Sequence, residues 1–156
     1  MSIIEKALIF FKERQYVVVA TADKGRKPNC APKLLLKLDG EIIYCIDYSI
    51  GRTFHNLKVN PEVSLSLMDT NSLFGYILNG KAEIIEEGKI YDECLKELHE
   101  KEMELTINRV VKGVQDSEAH KDFESENPER FLVYKVKIEE GFEINPRGII
   151  ECENSR

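Results

Sequence analysis

The feature that most constrains this chain is a succession of β-patterned runs in its first 86 residues, most of them joined by short turns. "YVVVATA" (16–22) is β-branched and almost wholly apolar, the pattern of a buried strand. "DKGRKP" (23–28) is a turn carrying Gly25 and Pro28. "NCAPKLLLKL" (29–38) reads as a second strand and "EIIYCIDY" (41–48) as its return, because Asp39-Gly40 between them is a strong two-residue hairpin signal. "EVSLSLMD" (62–69) alternates, with Val63, Leu65 and Leu67 on one face and Ser64, Ser66 and Met68 on the other. "FGYILNGKAEIIE" (74–86) is a fifth, longer strand interrupted by Gly75 and Gly80. A glycine inside a strand marks a bulge or the close approach of another backbone.

Two regions carry a helical period instead. At the N-terminus "SIIE" (2–5) is a capping-box pattern, followed by Ile4, Ala7, Leu8 and Phe11 on one face, which predicts a short helix ending near Gln15. After residue 87 the spacing of Ile90, Cys94 and Leu98, with Tyr91 and Leu95 beside them, continues through Met103, Ile107, Val110, Val111 and Val114. This predicts one or two helices over about 89–114. The polar stretch 115–130 reads as loop with a helical turn, and "FLVYKVKIE" (131–139) as a last alternating strand. Helix, five strands, helices, strand is the order of an α+β, mainly β domain built on a small closed or nearly closed antiparallel barrel. A single domain over 1–148 is expected, with 149–156 as a frayed tail.

Composition narrows the function classes. Residues 1–82 hold 11 Lys and Arg against 8 Asp and Glu, and residues 83–156 hold 11 against 20. A broad nucleic-acid surface needs a continuous basic face, so that partner is not expected, although the basic half could hold one small anion. No apolar run approaches the roughly 20 residues that cross a bilayer. The N-terminal 15 residues are too acidic and amphipathic for a signal peptide, which points to the cytoplasm. None of the four cysteines shares a C-x-x-C spacing, and His55, His99 and His120 are spread along the chain, so no metal site is expected. Cys30, Cys45 and Cys94 read as small buried apolar residues.

Between the third and fourth strands, "DYSIGRTFHNLKVNP" (47–61) is richer than a connection requires. Arg52 offers a planar fork of donors suited to phosphate, Thr53 and Ser49 add hydroxyls, and Gly51 lets the backbone come close. If "RTFHNLKV" (52–59) starts a helix, its free N–H groups face the same anion. The alternative is a solvated loop in which Ser49 caps a helix.

The order of elements and several short motifs resemble the FMN-binding split-barrel family, the superfamily of pyridoxamine 5'-phosphate oxidase. The resemblance covers roughly residues 3–87, through "VVVATADKGRKPNCAPKLLLKLDGEIIYCIDYS", "RTFHNLKVNPEVSLSLMD" with its Asn56-Leu57 and Asn60-Pro61, and "YILNGKAEII" with Gly80 and Ala82. It implies a six-stranded antiparallel split β-barrel with an N-terminal helix and one or two helices before the last strand. It implies FMN as cofactor, with Pro32, Lys33 and Leu34 lining the flavin ring, largely through backbone groups and through the Lys33 ammonium near its pyrimidine end. Tyr48 and Ser49 would flank the ribityl phosphate, and Arg52 and Thr53 would bind it. Asn56 is expected to hold the loop and His55 to be a surface residue. The resemblance also implies a homodimer with flavin sites at the interface.

The implied activity is that of a flavin-dependent oxidoreductase, moving a hydride or electrons between a donor such as NAD(P)H and a small acceptor. No catalytic acid or base is identifiable. The sequence has no tryptophan, and the C-terminal Trp and Arg pattern of true pyridoxamine phosphate oxidases is absent, so that specific activity is not expected. A non-catalytic FMN or electron-transfer protein, and a split barrel using F420 or haem, remain the alternatives.

Overall fold

A computed structural model describes residues 1–115, 131–148 and 150–155. The elements run α1 (Ile3–Lys12), β1 (Tyr16–Ala22), β2 (Pro28–Asp39), β3 (Ile42–Asp47), α2 (Arg52–Val59), β4 (Glu62–Met68), β5 (Gly75–Ile85), α3 (Lys89–Gln115), β6 (Leu132–Ile144) and β7 (Ile150–Asn154). The strand order is β3-β2-β1-β4-β5-β6-β7, all antiparallel, and β3 also pairs with β6. Six strands therefore close into a barrel. The 13-residue β6 makes closure possible: its first half, Leu132 to Lys137, pairs with β3, while Glu140 to Ile144 pairs with β7.

The segment 149–156, expected to fray, instead contributes β7. Glu153 explains part of its order: its carboxylate accepts the Ile3 amide at 2.5 Å and the Ile4 amide at 3.4 Å, at the positive end of α1. The expected loop over 115–130 lies, apart from Gln115 at the end of α3, outside the described residues.

Period 2 sorts the strand residues between two cores. Val17, Val19, Leu35, Ile43, Cys45, Val63, Leu65, Leu78, Tyr134, Val136 and Ile138 fill the barrel. The α1 capping box forms as the sequence predicts, and Ile4, Ala7 and Phe11 join this core. A second cluster lies outside the barrel, where Cys94 and Leu98 of α3 cover Leu34, Leu36, Tyr44, Ile46, Ile85 and Val133. Where β2 skips a residue against β3 between Leu35 and Lys37, the Lys101 ammonium of α3 donates to the freed Leu35 carbonyl.

Two expectations are corrected by which face α3 covers. β1 is buried only on its inner side, and Tyr16 and Val18 on the other side are 48% and 39% exposed. Cys30, opposite Ala20 on that same outer side, is exposed, whereas Cys45 and Cys94 are buried. The 89–114 region is one helix, but Met103, Ile107, Val110 and Val111 in its second half are exposed. At Gly80 the glycine rule holds: the β5–β6 register shifts there, and a Cβ would collide with the Lys137 carbonyl. No helix among the described residues is long and apolar enough to cross a membrane.

Candidate functional site

The loop singled out in the sequence leaves β3 at Asp47 and enters α2 at Arg52. The helix starts from Gly51, whose extended backbone leaves its carbonyl to accept the His55 amide at 3.1 Å. No side chain caps this end and the first turn has no acidic residue. The Arg52, Thr53 and Phe54 amides have no acceptor among the described residues, which leaves the first-turn donors and the positive helix end available. The Arg52 side chain is exposed and has no ion-pair partner among the described residues. Ser49 is not the cap. Its amide and hydroxyl donate to Asp47 Oδ1 at 3.1 and 3.2 Å, a turn in which the aspartate replaces a backbone acceptor.

Side-chain amides fix α2 against the barrel. Asn56 Nδ2 donates to Thr21 Oγ1 at 3.0 Å, the loop-holding role expected of Asn56. Asn60 Nδ2 reaches the Ala22 carbonyl at 3.2 Å. Thr53 is only 2% exposed, and its hydroxyl accepts from Asn29 Nδ2 on β2 at 3.4 Å. Its side chain thus anchors the helix start, while its amide stays at the helix end. His55 is exposed, with its ring edge-on to Phe54 at 5.4 Å.

Pro32, Lys33 and Leu34 are neighbours in sequence but not on one face. Lys33, in register with Val17, points into the barrel, and its ammonium lies 2.7 Å from Asp47 Oδ2. The same oxygen accepts the Tyr134 hydroxyl at 2.9 Å. Burial first, and the Asp47 charge next, push the Tyr134 phenol well above its ordinary value, so it remains a donor. Pro32 is exposed on the other side, and Leu34 is buried beneath α3. Tyr48 is 38% exposed, and its hydroxyl donates to Glu102 of α3 at 2.6 Å.

The structure therefore joins Lys33 to Ser49 through Asp47, and Thr53 to β2 through Asn29, with Arg52 on the surface between these anchors. Asp47, Tyr134, Asn29 and Thr21 were missed in the sequence. Only Asp47 left a signal: in "EIIYCIDY" it shares period-2 parity with the buried Ile43 and Cys45, an ionisable residue where the pattern calls for an apolar one. Of two surface cavities, one of about 610 Å³ is lined by the α2 anchors Thr21 and Asn60 together with Asn79, and one of about 470 Å³ lies beside Leu8, Leu36 and Lys101; neither is lined by Asp47, Ser49 or Arg52. No group of three or more His, Cys, Asp or Glu able to hold a metal occurs among the described residues.

Residues 3–145 match the family described as Pyridoxamine 5'-phosphate oxidase. No curated protein matches the sequence. Among solved structures, the chain is similar to HupZ of Group A Streptococcus, with a TM-score of 0.63 and 22% identity over 97% of this chain and 98% of that one. It is similar to a protein related to general stress protein 26 from Clostridium acetobutylicum, with a TM-score of 0.62 and 21% identity over 96% and 95% of the two chains. A heme binding protein from Mycobacterium smegmatis gives a TM-score of 0.62 at 17% identity, over 99% of this chain and 58% of that one. At these identities the likeness is one of fold.

Proposed function

We propose that this chain, which belongs to the pyridoxamine 5'-phosphate oxidase family, binds FMN and works as an oxidoreductase between a reduced donor such as NAD(P)H and a small acceptor. The observation that carries the reading is the uncapped N-terminus of α2, which has no acidic residue in its first turn and carries the exposed Arg52. A phosphate dianion suits such an end, because first-turn amides donate to it, the helix dipole favours it and a guanidinium grips it with two parallel hydrogen bonds. Arg52 and the Thr53 amide would hold the phosphate, with Tyr48 and Ser49 beside the ribityl chain. Pro32 would edge the ring, and Leu34, whose side chain lies beneath α3, would meet it through backbone groups. Lys33, bound to Asp47, would contribute backbone rather than charge. FMN, when bound, supplies hydride and electron exchange.

The family reading carries with it a homodimer with the flavin at the interface. Apolar side chains left exposed on β1 and on the second half of α3 support a partner copy. Four free cysteines favour a reducing compartment, and we place the protein in the cytoplasm.

An absorbance spectrum of the purified protein, recorded before and after mixing with FMN and desalting, tests the reading. About one retained flavin per chain supports it, and steady-state assays with NAD(P)H then separate an enzyme from an FMN carrier. A second reading is haem binding, favoured by the fold shared with the mycobacterial heme binding protein and by the exposed His55 on α2. A Soret band with no retained flavin would replace the first reading by the second.

A further inference from the structure

We propose that Asp47 is the positioning residue of the phosphate cradle and sets its preference for a phosphorylated over an unphosphorylated flavin, an inference that rests on the FMN reading. The Asp47 side chain is 3% exposed and its two oxygens serve different parts of the molecule. Oδ2 faces the barrel interior, where it meets the Lys33 ammonium at 2.7 Å and the Tyr134 hydroxyl at 2.9 Å. Oδ1 faces the loop, where it accepts both the amide and the hydroxyl of Ser49. Only Ile50 and Gly51 separate Ser49 from Arg52. With Thr53 held by Asn29 at the other side, the backbone that presents Arg52 is tied down at both ends.

The sign of the charges matters here. A bare carboxylate so close to the cradle would repel a phosphate dianion. Lys33 removes that objection, because the pair is neutral as a unit and sits in the barrel wall. The uncompensated positive field is then that of Arg52 and the α2 end. Tyr134, held protonated by its surroundings, adds a second donor beside Lys33 on Oδ2, while Oδ1 serves Ser49. Stability alone is a weak reason for the arrangement, since a buried ion pair gains little over apolar packing of the same volume. The two bonds to Ser49 are what an apolar barrel wall could not supply.

The test is the dissociation constant of FMN and of riboflavin, read from flavin fluorescence, for the wild-type protein and for the double variant Lys33→Met with Asp47→Leu, which removes the Ser49 acceptor and leaves no unpaired charge beside the cradle. The wild-type protein should prefer FMN. In the double variant the FMN affinity should fall at least tenfold relative to that for riboflavin, because the two bonds to Ser49 are lost. Should that variant fail to fold, the triple variant Lys33→Met, Asp47→Leu, Tyr134→Phe replaces the whole network by apolar side chains and should show the same loss of preference. A folded variant of either kind that keeps the wild-type ratio overturns the proposal, as does a parallel loss of both ligands, which would mark Asp47 as merely structural. Wild-type protein that binds neither flavin overturns the FMN reading, and this inference with it. A wild-type preference for FMN that survives in the variants overturns this inference alone.

Discussion

The side-chain amide of Asn56, in α2, donates to the Thr21 hydroxyl on β1 at 3.0 Å, with both residues at most 8% exposed. It is a direct polar tie between α2 and the barrel. Asn56→Ala leaves the Thr21 hydroxyl buried with one partner fewer, and we expect a loss of about 1–3 kcal/mol in urea unfolding. A variant as stable as the wild type would mean that α2 is held by Leu57 and its apolar contacts instead.

Lys33→Met leaves the Asp47 carboxylate buried without its cation. Removing one partner of a buried pair costs about 3–5 kcal/mol, whereas removing both is close to neutral. Urea melts should therefore show Lys33→Met well below the wild type and Lys33→Met with Asp47→Leu closer to it. Equal losses for the single and double variants would mean that the pair itself is not coupled.

Gly80→Ala should be among the most damaging small changes in the chain. The added methyl would meet the Lys137 carbonyl of the neighbouring strand, and neither backbone can retreat without breaking the β5–β6 ladder at its bulge. A loss of roughly 1–3 kcal/mol or more is expected for forced overpacking, measured by thermal and urea unfolding. Gly40→Ala makes a useful contrast, because nothing lies near its Cβ and only its φ of +56° opposes the change.

Cys45 predicts a specific alkaline weakness. Burial pushes its thiol up from an ordinary 9.0 to about 12. The folded state therefore holds a proton that the unfolded state releases. The contribution is fully present below pH 9 and is lost as pH rises from 9 toward 12. Each pH unit in that window should remove about 1.4 kcal/mol. Cys45→Val should flatten the alkaline fall in unfolding free energy relative to the wild type. At pH 8 a thiol reagent should modify the exposed Cys30 and Cys152 and reach Cys45 and Cys94 only after unfolding.

Arg52→Ala tests the phosphate grip directly. A charged hydrogen bond is worth about 1.5–3 kcal/mol, so FMN affinity should fall roughly 10- to 150-fold, with riboflavin affinity and fold stability unchanged. Unchanged FMN binding would sink the role of Arg52.

Much of this fold was legible because strand and helix periods are local. The hairpin at Asp39-Gly40, the capping box at Ser2 and Glu5, and the bulge at Gly80 each followed from the backbone chemistry of a few residues. The candidate site was legible only as a list. Pro32, Lys33 and Leu34 read as one flavin-lining stretch, but the pleat sends Lys33 inward and its neighbours outward. Thr53 read as an open hydroxyl, but α2 docks with that side turned to Asn29. The 149–156 tail read as loose because its pairing with β6 and its bond to α1 join residues about 10 and 150 positions apart.

The sequence by itself determined the elements other than β7, the antiparallel barrel and the position of the polar loop that leads into α2, because turn chemistry, hydrophobic period and helix starts act over a few residues. Tertiary structure alone decided which face of each strand α3 covers, where β7 adds, and how Lys33, Asp47, Tyr134 and Ser49 meet. Those four come from β2, β3, β6 and a loop, and only closure of the barrel brings β3 against β6 and so sets the Tyr134 hydroxyl on Asp47.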